Sequence, residues 1–160
     1  MKKTMKRLIT PSEVVTLAFG SPHTIEQGAI PLHAIEAAER SFLLPALGDE
    51  FYESLLAEEP KAESVAFVEE YLKLPLALYV ASRMVPVLAV KVGSAGVVRL
   101  AGESFEQVDE VTLRRVVVRL RRDADTLLAG ALEYLATHPE LFPLYNPQNL
   151  SRHIVGGVVM

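Results

Sequence analysis

The segment Ser64–Val90, SVAFVEEYLKLPLALYVASRMVPVLAV, is the longest apolar stretch of the chain, and no single helical face accounts for it. At 3.6 residues per turn Val68, Leu72, Leu76 and Val80 form one stripe, while Phe67, Tyr71, Leu74, Leu78 and Val85 form a second. A helix that is apolar on several sides needs cover on several sides. This one is therefore expected to be the central helix, or a kinked helix pair, on which the others pack. Pro75 and Pro86 each lack a backbone donor and crowd the carbonyl four residues earlier, at Tyr71 and Ser82, which predicts kinks or a break. Glu69, Glu70, Lys73 and Arg83 divide the stretch well below the roughly 20 apolar residues of a membrane span, so no membrane contact is expected.

With 160 residues the chain fits one domain with a sizeable core. Half of its residues are apolar, an excess that predicts surface covered by a partner or by copies of itself. Without cysteine there is no disulfide framework, thiolate zinc site or cysteine nucleophile. At the start, MKKTMKRLITPSEVV, the charged residues suit a signal peptide, but Pro11, Ser12 and Glu13 interrupt before an apolar run builds. A cytoplasmic location is expected. The net charge of -4 gives no global attraction to nucleic acid.

Thr10-Pro11-Ser12-Glu13 is a capping box with proline at the first helical position, and Gly20 closes the short helix it opens. Pro31 opens a second helix with Leu32, Ile35, Ala38 and Phe42 inward, which Pro45 and Gly48 are expected to end. Asp49 begins another, with Phe51, Tyr52, Leu55 and Leu56 inward. From Val90 to Leu100 valines flank Gly93-Ser94-Ala95-Gly96, which reads as a small β-hairpin. A second capping box, Ser104 with Gln107, is expected to open a long helix that runs to about Thr137. Its core stripe reads Leu113, Val117, Leu120, Ala124, Leu127, Ala131 and Leu135. The fold class is thus mainly α: a helical bundle with a long C-terminal helix and a small hairpin, in one domain over 1–145. Residues 146–160 read as an extended arm whose β-branched residues, Ile154 and Val155 among them, call for a partner strand.

No catalytic constellation emerges. The four histidines are scattered; His33, Glu36 and Glu39 share a helix side, but a di-metal helical bundle needs two Glu-x-x-His motifs, and here the order is reversed and occurs once. Gly93–Gly96 lacks the lysine of a phosphate loop, and Val92 stands where a nucleophile elbow needs glycine. Neither an enzyme nor a cofactor is expected. The sharper feature is five arginines within nine residues, Arg114, Arg115, Arg119, Arg121 and Arg122. One reading, the favoured one, is a solvated face stitched by ion pairs at four-residue spacing: Glu110 with Arg114, Arg119 with Asp123, Arg121 with Asp125. The other is a cationic strip facing DNA non-specifically, or an acidic protein. Val118 among the arginines points to a subunit contact.

The opening LITPSEV, the block IEAAERSFLLPALGDEFYESL from Ile35 to Leu55, the Leu-Pro-rich middle helix, the valine-glycine hairpin and the arginine-bearing helix together resemble a phage family. These are the small helical head-tail connector, or adaptor, proteins of tailed phages and their prophage-encoded relatives. The similarity runs through about Tyr145. It implies a non-catalytic structural subunit that assembles as a homo-oligomeric ring between portal and tail proteins, a virion component. No catalytic or ligand residue carries over. The contact surfaces expected here are Arg114, Arg115, Val118, Arg119 and Arg122 on the long helix, Val97 and Val98 in the hairpin, and Ile154 and Val155 in the arm. A DNA-binding or regulatory helical protein is the alternative.

Overall fold

The first helix, α1 (Pro11–Phe19), starts where the sequence marks it. The Thr10 hydroxyl accepts from the Glu13 amide at 3.2 Å and the Glu13 carboxylate accepts from the Thr10 amide at 2.9 Å, which satisfies two donors that helix geometry leaves free. Gly20 ends it in the left-handed region at φ 76°, and its amide donates to the Thr16 carbonyl. This computed structural model describes residues 6–20, 25, 27–93, 96–99 and 109–148.

The second helical run is α2 (Leu32–Ala38), a π turn (Glu39–Leu43) and α3 (Leu44–Leu47) without interruption. Pro45 therefore does not end the helix, contrary to expectation. In a π turn each carbonyl accepts from the residue five positions on, so the Ser41 carbonyl is not left waiting for the N–H that Pro45 lacks. Termination comes at Gly48, φ 82°, and α4 (Asp49–Leu55) follows at once with Asp49 and Glu50 in its first turn. Ala34, Ile35, Ala38, Leu43, Ala46 and Leu47 face inward, whereas Leu32, expected in the core, is 58% exposed.

The apolar stretch solves its own proline in the same way. α5 (Ala62–Phe67), a π turn (Val68–Leu72) and α6 (Lys73–Leu88) form one continuous central run, with the wide turn containing the Tyr71 carbonyl that Pro75 would leave unpaired. Pro86 sits within two residues of the helix end and does not break it. The stripe of Val68, Leu72, Leu76 and Val80 is buried throughout. Of the second stripe Phe67 is buried, Tyr71, Leu78 and Val85 are half-buried, and Leu74 is exposed, a departure from expectation. By length and composition alone Ala62–Leu88 could cross a membrane, but half of its most apolar window is buried inside the protein, as in the core helix of a bundle.

α6 packs most extensively on α7 (Glu110–Thr137), and also on α1 and α2, so the protein is mainly α-helical around this run. Between α6 and α7, β1 (Val90–Gly93) pairs antiparallel with β2 (Gly96–Arg99), Val90 opposite Arg99 and Gly93 opposite Gly96. The N-cap of α7 is Asp109, whose carboxylate accepts from the Thr112 amide at 2.6 Å. Ser104 and Gln107, expected to form that cap, lie outside the described residues. Over 28 residues α7 is about 42 Å long. Its buried residues are Ala124, Leu128, Ala131, Leu132 and Leu135; Leu127, expected in the stripe, is 40% exposed, and Leu113, Val117 and Leu120 are only half-buried. The inward step from Ala124 is four residues, not three. After the helix, Phe142 and Tyr145 fold back into the core, where Phe142 meets Phe51 edge-on at 5.9 Å and Phe67 at 5.4 Å.

A buried carboxylate ties the N-terminal segment to this core. Glu39 is fully buried and accepts from the Leu8 amide at 2.9 Å, from Arg7 at 3.0 Å and from the Tyr52 hydroxyl at 2.7 Å. Burial, and then donation to Glu39, push the Tyr52 hydroxyl well above its ordinary pKa. Glu39 thus has a structural role, whereas His33 on the same helical run is exposed. Among the described residues no cluster of three or more metal-ligating side chains occurs.

Candidate functional site

The first four turns of α7 place Val111, Arg115, Val118 and Arg122 at alternating four- and three-residue spacing, which aligns them on one side of the helix. Val111 is 60% exposed and Val118 51%, values that large apolar side chains rarely keep without a partner when they are grouped. Together with Arg114, Arg119 and Asp123 they line an open concave strip of about 610 Å³. The five helical residues named from the sequence, Arg114, Arg115, Val118, Arg119 and Arg122, are all brought together there.

Charge pairing within the strip is sparse. Arg114 reaches Glu110 at 3.3 Å, an exposed pair of the kind that contributes little to stability. The expected bridges of Arg119 to Asp123 and Arg121 to Asp125 are not formed. Arg121 lies instead over the Phe42 ring at 4.8 Å, and Phe42 stacks on Tyr79 with centroids 4.1 Å apart. Asp125 accepts from the Tyr79 hydroxyl at 2.5 Å, and burial followed by this bond raises the Tyr79 pKa. Arg121 and Asp125 are therefore drawn off the strip by the aromatic pair. Among the described residues Arg115, Arg119 and Arg122 make no ion pair or side-chain hydrogen bond, which leaves three cations facing solvent beside two valines.

The other expected contact residues are not brought to this strip. Val97 and Val98, in β2, pair through their backbones with Val92 and Lys91 of β1. Ile154 and Val155, with the rest of the arm after Gln148, lie outside the described residues.

A second concavity, of about 250 Å³, opens between the N-terminal segment and the α5–α6 run. Its ionisable groups are already engaged: Lys73 bridges Glu13 and Glu69 at 2.5 Å each, and Arg7 is held by Glu39. Burial opposes the Glu13 charge, but the bonds from Lys73 and Thr10 outweigh it and hold its pKa below the ordinary value. This arrangement clamps α1 to α6. Sequence reading missed both this clamp and the Glu39 anchor, because each joins residues more than thirty positions apart.

A family model described as "Family of unknown function (DUF6712)" matches residues 43–154, from the end of the first π turn through α7. No curated protein and no solved structure matches the chain.

Proposed function

Starting from the premise that the chain belongs to this family of unknown function, DUF6712, which its match over 43–154 shows, we propose that it is a structural subunit of a phage or prophage head-tail connector. In this reading it forms a ring between portal and tail, resides in the cytoplasm before assembly and in the virion after it, and acts without catalysis or cofactor. The observation that carries the reading is the arginine-valine strip of α7, an exposed surface of mixed apolar and cationic character in which Arg115, Arg119 and Arg122 have no ion-pair partner among the described residues. The resemblance in the opening segment and in the Ile35–Leu55 block supports it from the sequence side. The strand pair at Val90–Gly93 and Gly96–Arg99 would, as a small hairpin, add backbone edges for a neighbouring subunit.

The experiment is to co-express the chain with the portal protein encoded in the same gene neighbourhood and image the product by electron microscopy. A ring of this chain on the portal is the expected result. A neighbourhood without capsid, portal or tail genes, together with no portal complex, would refute the reading. The three arginines without a partner among the described residues also favour a second reading, a duplex-binding protein whose affinity falls steeply with salt. Val111 and Val118 argue against it, since phosphate contact gives exposed valines nothing to bury against.

A further inference from the structure

We infer that the α7 strip docks on a second copy of this chain, at an acidic apolar end that lies beyond the other end of the same helix. That end is built from two grooves sharing Phe51 and Leu144: one of about 440 Å³ beside Asp49 and Glu50, the other of about 190 Å³ beside Glu59 and Leu141. Leu141 is 38% exposed and Leu144 48%, so an apolar centre is left open there as it is at Val111 and Val118. Asp49, Glu50 and Glu59 are exposed and, among the described residues, make no ion pair. Lys61 is the cation that lines the smaller groove.

The two surfaces are complementary in charge and alike in layout. From Asp49 to Glu70 the chain carries eight carboxylates against one lysine, and from Arg114 to Arg122 five arginines and no carboxylate. Each surface surrounds a pair of exposed aliphatic side chains with charge mainly of one sign, Asp123 being the exception on the strip and Lys61 on the acidic end. Complementary rims of this kind set register and speed encounter, while the apolar centres supply the desolvated area. They cannot meet within one copy. Val118 and the end of α7 at Thr137 are separated by nineteen residues of uninterrupted helix, about 28 Å, which is several screening lengths at physiological salt. The contact is therefore between copies, and because its two halves differ, each added copy leaves one strip and one acidic end free. Such a contact propagates head to tail. Its closure into a ring rests on the connector reading; the contact itself does not.

The absence of cysteine gives a clean test. Full-length Val118→Cys and Leu144→Cys variants, each verified as folded by circular dichroism, are mixed and oxidised. The expected product is the mixed disulfide, in excess over either homodimer, and the double variant should form a ladder. Adding Arg115→Glu and Arg119→Glu to the first partner should lower the mixed product about tenfold or more, as like charges meet. Adding Glu50→Arg and Glu59→Arg to the second should restore it. Absence of the mixed product, an equal yield of Val118→Cys homodimer, or indifference to charge reversal would each overturn the inference. Portal binding by a chain that fails this test would leave the connector reading standing without this contact; cross-linking without portal binding would support the contact and remove the connector.

Discussion

The two halves of α7 share one helix and differ in almost everything else. Beyond Ala124 the inward residues, Leu128, Ala131, Leu132 and Leu135, are buried against α6 and the aromatic cluster. Before it no residue is fully buried, and valines at 111, 116 and 118 are more than two-fifths exposed among the arginines. A helix interior is held by its neighbours more than by its propensity. The contrast therefore shows where this chain supplies the neighbour itself and where it leaves the position open.

The comparison can be broken most forcefully at Leu135, which is fully buried. Leu135→Ala should cost about 2–5 kcal/mol in urea unfolding; a loss under about 0.5 kcal/mol would mean that the C-terminal half is not the anchored one. Tyr79→Phe removes the bond to Asp125 and should cost about 1.5 kcal/mol, the low end for a charged acceptor, because Asp125 itself is exposed. Leu120, half-buried at the junction, should give about 1–2 kcal/mol when changed to alanine, between the two halves.

Alkaline titration sharpens the same boundary. The Tyr79 pKa is raised in the folded protein, so its contribution is complete below its ordinary value near 10 and is lost as pH rises through the raised one. Tyr52 and Lys73 shift in the same direction and add to the loss. The fall in melting temperature above that pH should be shallower in Tyr79→Phe than in the parent. An identical fall would assign it wholly to the other groups. Smallest of all, Leu127→Ala and the pair Arg115→Ala with Arg119→Ala should each change stability by less than about 0.5 kcal/mol. If the connector reading holds, the arginine pair should nonetheless reduce assembly with the portal, and a melting temperature that collapsed instead would make the strip a structural element of the fold.

Legibility followed the range of the interaction. Thr10 with Glu13, and Gly20 after them, were readable because a cap is complete within a few residues. The stripe from Val68 to Val80 was readable because its period is local. Leu127 was misplaced because a three-residue and a four-residue step from Ala124 are equally good in sequence; Leu128 wins by what α6 presents to it. Pro45 misled because a proline is a stop signal only if the preceding turn is α-helical. Of the candidate site, the grouping of Arg114, Arg115, Val118, Arg119 and Arg122 could be read from spacing. The removal of Arg121 could not, since its cause is Phe42, seventy-nine positions earlier.

The wide turns at Glu39–Leu43 and Val68–Leu72 bear on how this chain tolerates changes in length. A π turn is an α-helix carrying one extra residue, so each is in effect an insertion already accommodated. Deleting one residue there would restore a regular α-helix and rotate everything downstream by about 100° relative to what precedes it. For the first turn that would swing Ala46 and Leu47 off the core; for the second it would turn the Leu76 and Val80 stripe aside and return Pro75 to a carbonyl it cannot satisfy. Both wide turns lie in the most buried helices, where an extra residue is ordinarily the least welcome. Length in this protein is accordingly fixed most tightly at the two places where the helices are least regular.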